Sequence, residues 1–81
     1  MTIRLLLFAA VRDIVGHGEM SLELAEGTTA AEVWSRLRSE HPRLAPYEAP
    51  PMVAINQTYA APSTTLRDGD EVAFIPPVSG G

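Results

Sequence analysis

Eighty-one residues of 8.7 kDa are too few for a two-domain enzyme, because domains usually need roughly 100 to 200 residues each. With 46% of residues apolar, 20% charged and a mean hydropathy of +0.05, the composition is that of a globular domain with a thin core. Ten acidic residues against six basic ones give a net charge of -4, the wrong sign for coating phosphate backbones, so nucleic acid is not expected as a partner.

From Thr2 to Phe8 the segment TIRLLLF reads as a short strand, with Ile3, Leu5 and Leu7 facing inward and Arg4, Leu6 and Phe8 facing outward. Two large apolar residues on an outer face either lie under another segment or form a contact surface. AAVRDIVGHG follows as one or two helical turns closing on glycine, and His17 between two glycines reads as a solvated turn residue. Glu19 to Leu24 alternates strictly, with Met20, Leu22 and Leu24 on one side, which predicts a half-exposed strand pairing with the first.

Thr29 followed by Glu32 is a capping-box pattern, and Ala30, Val33, Trp34, Leu37 and His41 share one face of an amphipathic helix ended by Pro42. Trp34 and His41 are therefore read as packing residues, and Glu32 and Arg36 as an ordinary surface pair. Four prolines between residues 41 and 51 predict an irregular connection. Met52 to Ile55 then forms a short strand, Asn56 and Gln57 a tight turn, Thr58 to Ala60 a stub strand and Asp68 to Asp70 a second turn. The last strand, Glu71 to Ile75, places Val72 and Phe74 on one face and Ala73 and Ile75 on the other.

No glycine-rich phosphate loop, HExxH or GxSxG is present, and the cluster Asp68, Asp70 and Glu71 lacks the ligand spacing of a calcium loop, so no metal site is expected. Cysteine is absent, which removes disulfides, thiolate ligands and a thiol nucleophile. Lysine is absent as well; all six basic residues are arginines, leaving the amino terminus as the one aliphatic amine. The apolar run from Leu5 to Val11 is far short of the roughly 20 residues of a membrane span and has no signal-peptide pattern. A soluble, cytoplasmic chain without membrane partners is expected.

The closing residues carry the functional signal. Pro76 and Pro77 enforce an extended exit from the last strand, and the tail through Val78, Ser79, Gly80 and Gly81 reaches roughly 20 Å when extended. Two terminal residues without side chains allow a carboxylate to enter a channel that any Cβ would block. The expected organisation is a domain over residues 1–75 and a flexible tail over residues 76–81.

GDEVAFIPPVSGG at Gly69 to Gly81, LLLFAAVRDIVG at Leu5 to Gly16 and VAINQ at Val53 to Gln57 together resemble the MoaD-like sulfur carriers. These are the small-subunit branch of molybdopterin synthases among the ubiquitin-like β-grasp proteins. The resemblance covers nearly the whole chain, with Ile75 where the family often has an aromatic residue and Ser79 where it often has threonine. It implies an α+β fold: a mixed four- to five-stranded sheet, one main helix and an extended GlyGly tail.

It further implies that Gly81 is adenylated by a ubiquitin-activating-like adenylyltransferase using ATP, with no cofactor of the chain's own. A sulfur donor protein then converts the adenylate to a thiocarboxylate. The tail, Pro76 to Gly80, passes into the large synthase subunit, in a heterotetramer of two small and two large subunits, and sulfur goes to a cyclic pyranopterin monophosphate to form the dithiolene. Phe8, Tyr59 and Ile75 are the expected partner-binding residues, because docking must occur close to the tail. A thiamine-type sulfur carrier and a ubiquitin-like protein modifier use the same fold and tail chemistry and stand as alternatives. Co-purification with a thiazole synthase would point to the first, and isopeptide adducts to the second.

Overall fold

The computed structural model describes residues 1–47 and 52–75. Its elements run β1 (Thr2–Leu7), α1 (Ala9–Val15), β2 (Glu19–Glu23), α2 (Ala30–Glu40), a 3-10 turn (Pro42–Leu44), β3 (Met52–Ile55), β4 (Thr58–Ala60) and β5 (Glu71–Ile75). The five strands form one mixed sheet in the order β2-β1-β5-β3-β4. The central pair, β1 and β5, is parallel, and the other neighbours are antiparallel. A parallel pair requires a crossover, and the intervening chain supplies it by carrying α2 across one face.

Alternation along β1 makes this packing possible. Ile3, Leu5 and Leu7 are at most 1% exposed, while Thr2 and Arg4 are solvated. The same inner face takes Leu22 from β2, Val72 and Phe74 from β5 and Val53 from β3. Against it α2 lays Ala30, Val33, Trp34 and Leu37, all buried. Trp34 meets Phe74 edge to face with ring centroids 5.1 Å apart, an arrangement favoured by the ring quadrupoles. The indole N–H of Trp34 donates to the Tyr47 carbonyl at 3.3 Å, so the largest core side chain carries no unpaired donor.

Local chemistry sets the element ends. Gly16, at φ +91°, closes α1 in the left-handed conformation and donates its N–H to the Arg12 carbonyl at 2.8 Å. The Thr29 hydroxyl accepts from the Glu32 N–H at 3.2 Å, as a helix cap should. The capping box is not completed as expected, because the Glu32 carboxylate accepts from the Thr29 hydroxyl itself. Further first-turn donors are satisfied from a distant loop: Ala30 N–H donates to the Thr64 carbonyl and Ala31 N–H to that of Pro62. Asn56 and Gln57 both take positive φ between β3 and β4, the geometry of a type I′ hairpin turn.

Four further local expectations need correction. The first strand ends at Leu7 rather than Phe8, because Phe8 is the N-cap of α1. The connection after α2 is not wholly irregular: its 3-10 turn buries Leu44 completely, and His41 at the helix end is only half-buried. Arg36 pairs with Glu40 at 3.4 Å and donates to the Glu23 carbonyl, rather than meeting Glu32.

The turn that precedes β5 is tied to the start of β1. Asp70 accepts from the Arg67 N–H and the Asn56 amide, Asp68 accepts from the Thr2 N–H, and Asn56 accepts from the Glu71 N–H. These carboxylates act as turn builders, holding β5 in register beside β1. Residues 76–81, expected as an extended tail, lie outside the described residues.

Candidate functional site

The outer face of the sheet is divided lengthwise. At the amino end of the parallel pair the row Ser21, Arg4, Glu71 is polar, and Arg4 forms an ion pair with Glu19. One step toward the carboxyl end, the register aligns Leu6, Ala73, Ala54 and Tyr59 across four strands. At the next step Ile75 pairs with Met52 on β3, and Phe8 follows Leu7, which pairs with Phe74. The outer face is therefore charged where β1 and β5 begin and apolar where they end.

The bulky residues at the margins of this apolar half are open to solvent. Phe8 is 44% exposed, Met52 57% and Tyr59 70%, and with Tyr47 these are the exposed large hydrophobics among the described residues. Leu6 and Ile75 are half-buried. Ala54 and Ala73, between the bulkier residues, form a low centre of the patch. Small residues flanked by large ones make a relief into which a partner's side chains can insert.

Phe8 owes its position to the junction behind it. Its own backbone is extended, at φ -133° and ψ 158°, and Ala9 then turns sharply with φ +50°. A left-handed conformation is costly for alanine. Here it starts α1 immediately at the strand end and leaves the Phe8 side chain on the outer face.

The structure brings Phe8, Ile75 and Tyr59 onto one face; strand parity predicted this for Phe8 and Ile75, and the register adds Tyr59. Met52, Leu6, Ala54 and Ala73 extend that face and were not among the expected docking residues; Leu6 could have been added, because its outward parity was legible. Pro76, Pro77, Val78, Ser79, Gly80 and Gly81 are outside the described residues, and what precedes them, Ile75, lies inside the apolar half. His17 is exposed in the turn before β2, and His41 borders a cleft of about 110 Å³ with Ile14, Glu40, Pro42 and Arg43 on the helical side. No group of His, Cys, Asp or Glu able to hold a metal occurs among the described residues. Among them, too, no helix is long and apolar enough to cross a membrane.

A mixed five-stranded sheet with a central parallel pair, crossed by one principal helix, defines a ubiquitin-like β-grasp protein. The chain belongs to the ThiS family, whose model matches residues 5–81. It is 39% identical over 83 residues to the molybdopterin synthase sulfur carrier subunit of Chlamydomonas reinhardtii, covering 100% of both chains. With the protein of that name from Mycobacterium tuberculosis it shares 39% identity over 80 residues, 98% of this chain and 96% of the relative. Among solved structures, the Haloferax volcanii HVO 2177 protein superposes with a TM-score of 0.85 at 30% identity, covering 100% of this chain and 87% of the other. The small archaeal modifier protein 1 of Methanosarcina acetivorans gives a TM-score of 0.80 at 26% identity, covering 99% and 96%.

Proposed function

We propose that this chain is the sulfur carrier subunit of a molybdopterin synthase, with Gly81 as the reacting residue and the apolar half of the outer sheet face as its docking surface. The observation that carries this reading is the end-to-end match to relatives of that name, which runs through the closing glycines.

A carboxylate is a poor electrophile. An adenylyltransferase joins the Gly81 carboxylate to the AMP portion of ATP, releasing pyrophosphate, and the resulting anhydride has a good leaving group. Sulfur from a donor protein then displaces AMP and leaves a thiocarboxylate. The tail enters the large subunit, and two carriers in turn supply the two dithiolene sulfurs of the pterin product. The carrier's own side chains take no part in bond making, so nucleotide, magnesium and acid-base groups belong to the partners.

Both partners must bind close to the start of the tail. Phe8, Met52, Tyr59 and Ile75 are suited to this, because Phe8 and Met52 lie at the level of Ile75 where β5 ends, Tyr59 extends the same face on β4, and all lose exposed apolar surface on docking. The test is dithiolene formation from purified large subunit, precursor and carrier bearing a chemically installed thiocarboxylate. Transfer from the thiocarboxylate form alone is the expected result; transfer from the unmodified carboxylate would overturn the assignment to Gly81. Deleting Gly81 abolishes the reaction, and Gly80→Val impairs it without lowering the melting temperature.

A second reading, conjugation of Gly81 to lysine amines of target proteins, is favoured by the match to an archaeal modifier. Isopeptide-linked adducts in lysate would support it.

A further inference from the structure

The 81 residues contain neither lysine nor cysteine, and under the proposed function, on which the following rests, both absences acquire a chemical meaning. An activated terminal carbonyl is trapped as a stable amide by aliphatic amines, and is first captured as a transferable thioester by thiolates. The six arginines supply surface cations without a nucleophilic lone pair, because a guanidinium stays protonated at any physiological pH. Arg4 pairs with Glu19, Arg36 with Glu40, and Arg38 donates to the Ala45 carbonyl. Each makes its surface contact as a cation with no amine introduced.

One amine remains, the α-amino group of Met1. It is part-buried and donates to the Leu24 carbonyl at 2.9 Å. It also stands at the wrong end of the sheet. β1 and β5 are parallel, with Arg4 beside Glu71 and Leu7 beside Phe74, so Met1 lies about seven residues, or roughly 23 Å, along the strands from the level of Ile75. Residues 76–81 extend at most about 22 Å, and the α-amino group is held part-buried in its own hydrogen bond. The imidazole of His17 returns any acyl group it accepts to water and leaves no adduct.

We propose that the chain is an acyl donor that carries no acceptor: its activated Gly81 carbonyl forms no stable bond with its own side chains or with another copy, and is delivered only to a partner. In the reaction avoided, an amine nitrogen attacks the terminal carbonyl carbon. A C–N bond forms as the C–S bond of a thioester breaks, the thiolate leaves with the bonding pair, and the ammonium proton passes to solvent.

The experiment uses the full chain as a C-terminal thioester, incubated alone at micromolar concentration and followed by intact mass. The parent protein is expected to lose its thioester only by hydrolysis. Ala10→Lys places an amine in the exposed first turn of α1, beside Phe8 and the end of β5. An effective concentration on the order of millimolar makes its internal amide form roughly a thousandfold faster than amides between micromolar copies. Ala61→Lys, at the exposed residue that directly follows β4, repeats the test at a loop position should the helical variant fold poorly.

Glu26→Lys, in the turn after β2 at the Met1 end of the sheet, is the distant control and is expected to give no internal product. Amide dimers or cyclised chain from the parent would overturn the proposal. So would a thioester lifetime unchanged in both Ala10→Lys and Ala61→Lys, since lysine's absence would then protect nothing. No arm contains the large subunit or precursor, so failure of the sulfur-transfer assay is read separately from failure here.

Discussion

The two faces of the sheet are built from the same strands and similar apolar side chains, yet they have different fates. Inward, Ile3, Leu5, Leu7, Val72 and Phe74 are sealed beneath α2; outward, Phe8, Met52 and Tyr59 stay open to water beside the end of β5. Burying one such side chain contributes roughly 1.5 to 3 kcal/mol, whereas an exposed one contributes little to the folded state. The inner set therefore acts in folding, and the outer set has its apolar free energy still available for association.

Truncating the inner face gives the largest expected effect. Trp34→Ala removes the ring that meets Phe74 and the donor to Tyr47, and a loss of about 3 to 5 kcal/mol is expected in a urea melt. Against a total of roughly 5 to 15 kcal/mol, this leaves the domain marginal. A loss below about 1 kcal/mol would mean that α2 is not the lid of the core.

On the outer face the consequence moves from stability to affinity. Phe8→Ala and Met52→Ala are each expected to weaken large-subunit binding by about 2 kcal/mol, close to thirtyfold, in calorimetry. Their unfolding free energies should stay within about 0.5 kcal/mol of the parent. A collapse in stability instead would place these side chains in the core and erase the contrast between the faces.

Backbone strain sharpens the comparison further. Ala9 and Gln57 hold positive φ, each at a cost of roughly 1 to 2 kcal/mol, while glycine there adds entropy to the unfolded chain. Ala9→Gly and Gln57→Gly are each expected to stabilise by about 0.5 to 1 kcal/mol in a denaturant melt. If Ala9→Gly also weakens partner binding, the strained junction is what fixes Phe8 outward. The smallest effect belongs to the polar half: Arg4→Gln breaks the exposed pair with Glu19 and should change stability by less than about 0.5 kcal/mol, with little further change at high salt.

Much of this division was legible in the sequence. Alternation in TIRLLL and EMSLE has the period of a strand, and the cap at Thr29, the helical spacing of Val33, Trp34 and Leu37 and the closure at Gly16 are local signals that a one-dimensional pattern carries. The outward parity of Phe8 and Ile75 followed from that period alone. Met52 was missed because MVAI has no alternation; whether Met52 or Val53 faces the core depends on pairing with β5, a neighbour sixteen or more residues away in the chain. Leu44 was missed for a similar reason, since prolines on either side mark a break but cannot say that one side chain turns back beneath the helix.

What the amino-acid order determined by itself was the set of elements, the composition without lysine or cysteine and the glycine pair at residues 80 and 81, all properties of short stretches or of counting. Only the tertiary structure decided that the parallel placement of β1 beside β5 brings Phe8 next to Ile75. It also decided that β3 adds Met52 to the same edge, and that the α-amino group lies at the opposite end. The physical reason is that side-chain period fixes which face a residue takes within a strand, whereas strand order and register are set by long-range pairing, helix packing and the turn clamps at Asp68 and Asp70.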